Sequence, residues 1–333
     1  MKITKVMIII TLICFVAAGA FAGGGRDAAG GRTVVVFAGT EAATTGQSRA
    51  MQEMADILNA SGRFSATVHV AGALSGDTDN LVTQARTGVP LVVPSDPGRL
   101  ASQFGIPDMN ILMAPYILTD PSVLPRLPGI PLFQEWQRQL QAQGIYFVAN
   151  MYNGFRSFYT VNPVRNVADL RGLRIRGFGN DIGNALGRHL GFANIGIPWG
   201  EVVPGLQQRT LDGCEVQVAT AHGVALWDVI NHIAITNHYM LQSSFVVSTN
   251  LLNSMSSADR EFFLRTVRDT VAKYSEIIRQ EEQPFFQVFR DRGVTIHEVD
   301  IREFQNAIAP LYVNNDLNFS PGLRDRLFRE LGL

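Results

Sequence analysis

Apolar positions along the chain follow two alternating periods, one of strands and one of helices. Thr33 to Ala38 (TVVVFA) is a β-branched run of the buried-strand type. After the loop Gly39 to Gly46, the segment Ser48 to Asn59 carries Met51, Met54, Ala55 and Leu58 on one helical face. The unit then repeats. Thr67 to Val70 predicts a short strand, Ala71 to Gly76 a Gly-rich turn, and Thr78 to Thr87 a helix that Asp77 can cap. Val89 to Val93 is a third strand, ending in Pro94-Ser95-Asp96-Pro97.

Further on, Asp108 to Met113 and Pro115-Tyr116 continue the apolar pattern, and Pro121 to Pro131 reads as a Pro-rich surface loop. Phe133 to Gln143 predicts a helix with Trp136 and Leu140 turned to the core. Ile145 to Ala149, Phe158 to Val161, Leu173 to Arg176 and Cys214 to Val218 read as four separate strands, with helices over Phe178 to Gly191 and Trp199 to Arg209. Phe245 to Ser248 begins a return strand. The capping box Ser256 to Asp259 opens a long helix, which Pro284 should kink before it ends near Arg292. Val294 to Val299 is a last strand and Phe304 to Tyr312 a last helix.

Alternation of this kind implies an α/β fold whose parallel sheet has helices on both faces. Ligands of such sheets bind beyond the carboxyl ends of the strands. The loops at Thr40-Glu41, Asp77 and Ser95-Asp96 are therefore candidates for a pocket rim. A solvated loop for Glu41 and a helix cap for Asp77 are the competing readings.

With 333 residues, 46% hydrophobic and 17% charged, the chain is long enough for two domains with real cores. The N-terminus reads as a secretory signal peptide over residues 1–22. Lys2 and Lys5 are its basic part, Val6 to Val16 the apolar part and Ala20-Phe21-Ala22 the cleavage site. The glycine-rich stretch 23–32 would be a flexible leader. A retained anchor is the alternative, but the apolar stretch falls short of the roughly 20 residues of a spanning helix. Lipidation at Cys14 meets Ile13 where a small residue is usual. Cleavage removes two lysines and no acid, so a formal charge of −1 becomes −3, with no basic surface for nucleic acid. Cys214 then stands alone, which excludes an internal disulfide and a cysteine-based zinc cluster. The expected location is periplasmic.

No G-x-S-x-G, H-E-x-x-H, P-loop or Cys-x-x-Cys occurs, and the six histidines show no ligand-like pairing. The chain reads as a non-enzyme without metal or cofactor. What remains, between Asn153 and Gln217, is a receptor-like constellation: Arg156, Arg176 behind an apolar strand, Phe178 in the Gly-rich bend, Trp199 and Val216. A guanidinium holds a carboxylate by two parallel hydrogen bonds and stays charged at any relevant pH. A loop ion pair is the other reading of Arg176, and the pattern alone does not choose between them.

Two stretches in this region resemble the solute-binding proteins of TRAP (tripartite ATP-independent periplasmic) transporters, the DctP family. They are Asp169-Leu170-Arg171-Gly172-Leu173-Arg174-Ile175-Arg176 and, after Glu201-Val202 and Leu206-Gln207, the run Leu211-Asp212-Gly213-Cys214-Glu215. The resemblance extends over nearly the whole mature chain. It implies a periplasmic-binding-protein-like fold of two domains with a ligand cleft between them and a long C-terminal helix spanning both. Domain I would be 33–153 with 242–281, and domain II 154–241 with 282–333. It also implies that Arg176 clamps a ligand carboxylate, that Arg156 is a second arginine of the site, that Trp199 lines the cleft, and that membrane permease subunits are the partners. The family commonly has Asn where this chain has Val216, and its Glu-Val-Tyr becomes Glu201-Val202-Val203. The apolar Val216 suggests a hydrophobic or aromatic carboxylate. A ligand-sensing subunit of a signalling receptor and a secreted enzyme are the rival functions.

Overall fold

A computed structural model describes residues 31–333; the expected signal peptide, with Cys14, and most of the leader lie outside the described residues. One nine-stranded sheet runs through the molecule in the order β2-β1-β3-β8-β4-β7-β5-β6, with β9 added beside β8. The strands are β1 (Thr33–Ala38), β2 (Phe64–His69), β3 (Leu91–Ser95), β4 (Ile145–Thr160), β5 (Arg174–Arg176), β6 (Ala193–Ile195), β7 (Gly213–Gln217), β8 (His232–Ser248) and β9 (Thr295–Glu298).

The two wings are parallel, as the strand-helix alternation predicts: β2, β1 and β3 on one side, β7, β5 and β6 on the other. The centre is not. There β4 and β8 form an antiparallel pair of 16 and 17 residues that serves both wings. β3 joins the C-terminal end of β8, while β7 joins the C-terminal end of β4. The expected strands Ile145 to Ala149 and Phe158 to Val161 are thus two ends of one strand, and the return strand starts at His232, well before Phe245.

The intervening residues read as loop because Asn150, Asn153 and Arg156 break the apolar pattern. In the fold these polar groups are buried and partnered: Asn150 donates to Gln242 at 2.8 Å and accepts from the Ser244 hydroxyl at 2.7 Å. The ladder slips between Tyr152 and Phe155, at Gly154, whose φ of +97° lies in the left-handed region that favours glycine. A second slip lies opposite Asn237, at φ +42°.

Helix starts follow their sequence signals. Asp77, Asp96, Asn180 and Ser256 each accept a backbone N–H of the helix that follows. The long helix Ser257–Asp291 passes through Pro284 as one 35-residue element. Its first two thirds bury Phe263, Val267, Val271, Tyr274 and Ile278 in the larger core, and Phe289 packs in a second cluster against Tyr159 and Trp227. It therefore touches the apolar layers of both wings.

Other segments depart from expectation. The Trp199 stretch is a 3-10 turn, Trp199–Glu201, before a short helix Val202–Gln207, rather than one helix to Arg209. The Pro-rich loop winds as 3-10 turns over Pro121–Gly129. A terminal helix, Leu323–Leu331, has no counterpart in the expected elements. Among the described residues no helix is long and apolar enough to cross a membrane.

Candidate functional site

The carboxyl ends of β1, β3 and β5 open onto one cavity. Its outer part, about 430 Å³, is bounded by Asp77 to Asp79, Arg99, Gly177 to Asn180 and Gly196 to Trp199. Its inner part, about 80 Å³, reaches down to Glu41, Ser95, Asn153, Arg156 and Gln217. Thr40, Thr78, Arg99, Arg176, Phe178 and Trp199 border both. The strand-end residues singled out from the sequence thus converge.

Arg156 and Arg176 are brought together in space but not in chemistry. Arg156, on β4, is 2% exposed and faces β7, whose Glu215 and Gln217 share one side of that strand. Its Nε pairs with the Glu215 carboxylate, its Nη2 donates to the Glu215 carbonyl, and its Nη1 donates to Gln217 Oε1 at 3.0 Å. Burial alone would raise the Glu215 carboxyl, but Arg156, with His238 Nε2 at 3.4 Å, outweighs it and holds the group down at about 2. The Tyr239 hydroxyl adds a donor at 3.2 Å. Arg156 is neutralised by the protein itself.

Arg176 is not. It ends β5, is 4% exposed, and donates from Nε to the Ile197 carbonyl at 3.1 Å, with no carboxylate within 4.0 Å among the described residues. Burial, then the neighbouring charge of Arg156, lowers its guanidinium to about 10. Its carbon lies 5.4 Å from the Trp199 ring centroid and 5.7 Å from that of Phe178. The Phe178 face also meets Arg156 at 4.4 Å and Arg99 at 5.1 Å, so one ring spaces three cations.

Glu41 is not a solvated loop residue. It is 9% exposed, and its Oε1 accepts from Asn153 Nδ2 at 3.0 Å, Thr220 Oγ1 at 3.1 Å and Gln217 Nε2 at 3.3 Å. Its Oε2 has no hydrogen-bond partner among the described residues, and burial pushes its carboxyl up. Ser95 Oγ and Trp199 Nε1, both bordering the inner chamber, are likewise unpartnered. Asp96 is buried, caps the helix Pro97–Phe104 and pairs with Arg99 Nε at 3.0 Å. Asp77 is an exposed cap whose carboxylate accepts the Asp79 N–H at 2.9 Å, and it borders only the outer cavity. Val216 touches the inner chamber, yet its side of β7 belongs to the apolar cluster of Tyr159, Leu206 and Cys214.

Arg99, Gln217, Asn153 and Thr220 are site residues the sequence did not single out. Strand alternation from Glu215 could have flagged Gln217, and the i, i+3 spacing from the Asp96 cap could have flagged Arg99. Nothing local marks Asn153 or Thr220 as site residues; their shared partner Glu41 lies more than a hundred positions away. Among the described residues no group of three or more His, Cys, Asp or Glu could hold a metal ion.

The same fold and order recur in known proteins. A solute-binding protein of Chromohalobacter salexigens is 24% identical over 72% of this chain and 71% of its own length. The sialic acid-binding periplasmic protein SiaP of Vibrio cholerae is 22% identical over 76% of this chain and 78% of its own. The crystal structure of a TRAP periplasmic solute-binding protein from Actinobacillus succinogenes, with bound L-galactonate, superposes with a TM-score of 0.84 at 23% identity, covering 90% of this chain and 99% of that one. The family described as bacterial extracellular solute-binding protein, family 7, matches residues 37–316. The chain belongs to that family, the DctP solute-binding proteins of TRAP transporters.

Proposed function

We propose that this protein captures an organic carboxylate outside the cytoplasmic membrane and delivers it to a TRAP permease, without chemical change to the ligand. The observation that carries the proposal is Arg176, a buried cation at a strand end that faces a cavity and has no counterion among the described residues. A buried charge is stable only when paired, and an acid ligand supplies the missing partner. Relatives of the family that hold L-galactonate or sialic acid support the same class.

The hydrophobic or aromatic ligand suggested by Val216 has less support. Most of the side chains that border the inner chamber are polar, among them Glu41, Gln47, Ser95, Asn153, Gln217 and Thr220, and Val216 is largely turned into the core behind it. In this reading the wings act as two lobes, 33–153 with 242–281 and 154–241 with 282–333, which close on the ligand through the slips of β4 and β8 near Gly154 and Asn237. Closure lets Thr40, Thr78 and Arg99 of one lobe and Arg176, Phe178 and Trp199 of the other meet the same ligand.

A thermal-shift panel of carboxylates, each matched with its primary amide, tests the proposal. Acids should raise the melting temperature and their amides should not. Equal shifts from acid and amide, or none from any acid, would overturn it.

A further inference from the structure

We infer that His232 and His297 form a second binding site, away from the cleft, in which the two imidazoles chelate a divalent transition cation such as Zn2+ or Ni2+. In the chain they lie 65 positions apart, and the sequence alone shows no pairing. The fold makes one. β9 runs parallel to the start of β8, with Thr295 opposite His232 and His297 opposite Ala234. Side chains two apart on a strand share a face, so His232 and His297 stand on the same face of neighbouring strands. His232 Nδ1 and His297 Nε2 are 3.2 Å apart, and the ring planes differ by 37°. Both residues are half-buried, and neither borders the cavity beside Arg176.

A hydrogen bond between the rings uses one N–H and one lone pair, whereas a chelate uses two lone pairs. Metal bonds of about 2.0–2.1 Å to two nitrogens 3.2 Å apart enclose an angle of roughly 100°, which suits tetrahedral coordination. Turning each ring about χ2, a soft torsion, aims both lone pairs at that point. The donor ring passes its proton to its outer nitrogen through solvent, since no other hydrogen bond holds either ring among the described residues. Imidazole nitrogen suits zinc and nickel, and water completes the coordination on the open side. Two charges bear on the site. That of Arg165 reaches both rings and opposes a cation, while that of Asp169 reaches His297 and favours one. Binding is therefore weaker than at a closed site of four protein ligands. A bound ion would tie β9 to β8.

Calorimetry with Zn2+ and with Ni2+ on the mature protein, free of any affinity tag, tests the inference at about pH 7.5, where an ordinary imidazole is neutral. At least one of the two ions should bind saturably, one per chain. His232→Asn and His297→Gln each keep a side chain able to hydrogen-bond across the strands and remove a ligand nitrogen. Each should weaken binding by more than about tenfold, because losing a ligand costs at least as much as losing the partner that orients one. The double variant should lose little more. The ion should also raise the melting temperature of the parent chain and not of the variants. His189→Ala, which removes an imidazole paired with Asp316 at 2.6 Å, should change nothing. No saturable binding of either ion, or binding that survives His232→Asn or His297→Gln or disappears in His189→Ala, would overturn the inference. The carboxylate reading stands or falls separately.

Discussion

Arg156 and Arg176 are both buried and both lie against the Phe178 ring; the resemblance marks Arg176 as a carboxylate clamp and Arg156 as a second arginine of the site. They differ in what neutralises them. Arg156 is enclosed by Glu215, the Glu215 carbonyl and Gln217, and it fastens β4 to β7 where the central pair enters the second wing. Arg176 has one carbonyl and two aromatic rings. A buried cation that the protein has already paired contributes to the frame; one left unpaired beside a cavity is the candidate for an anionic ligand.

The contrast can be broken most directly at Arg156. Its replacement by Ala strands Glu215 as an uncompensated buried carboxylate, so unfolding in urea should show a loss of about 3–5 kcal/mol. A loss below about 1 kcal/mol would mean that the pair is not structural. Arg176→Ala should do the reverse. Ligand affinity, by calorimetry, should fall by about 2–5 kcal/mol, while the stability of the ligand-free protein stays within about 1 kcal/mol or rises. Unchanged affinity would remove Arg176 from the site.

Acid should separate the two regions as well. Glu215 is held at about 2 in the folded protein against an ordinary value of 4.5, so its contribution, on the order of 3 kcal/mol, is complete above pH 4.5 and lost as the pH falls through about 2. Glu41 and Asp96 are shifted upward by burial, and protonating them on acidification relieves strain instead. Urea midpoints measured from pH 5 to pH 2 should therefore fall less steeply in Glu215→Gln than in the parent chain; parallel profiles would show that Glu215 is not the acid-sensitive group. The smallest effect belongs to Trp199→Phe, which keeps a ring beside Arg176 and removes the unpartnered Nε1. Affinity for a carboxylate should drop by about 0.5–1.5 kcal/mol if that N–H donates to the ligand, and a null result would confine Trp199 to packing.

Much of this fold could be read from local pattern. β-branched runs gave the wings, and Asp77 and Ser256 cap the helices their positions suggested. The central pair could not be read, because Asn150, Asn153 and Arg156 look like loop residues until Gln242, Ser244, Glu41 and Glu215 are placed against them. In sequence Glu41 fits a pocket rim or a solvated loop, and only the packing of Thr220 and Gln217 over it shows a buried carboxylate.

By itself the sequence determined the strand-helix alternation, the family, and the presence of an arginine at the end of β5, since each depends on residues near one another in the chain. Which arginine is left without a carboxylate partner among the described residues was decided by tertiary structure alone. Pairing depends on who stands opposite across β4 and β7, 59 residues apart in the chain, and burial is what makes a charge left unpaired there costly.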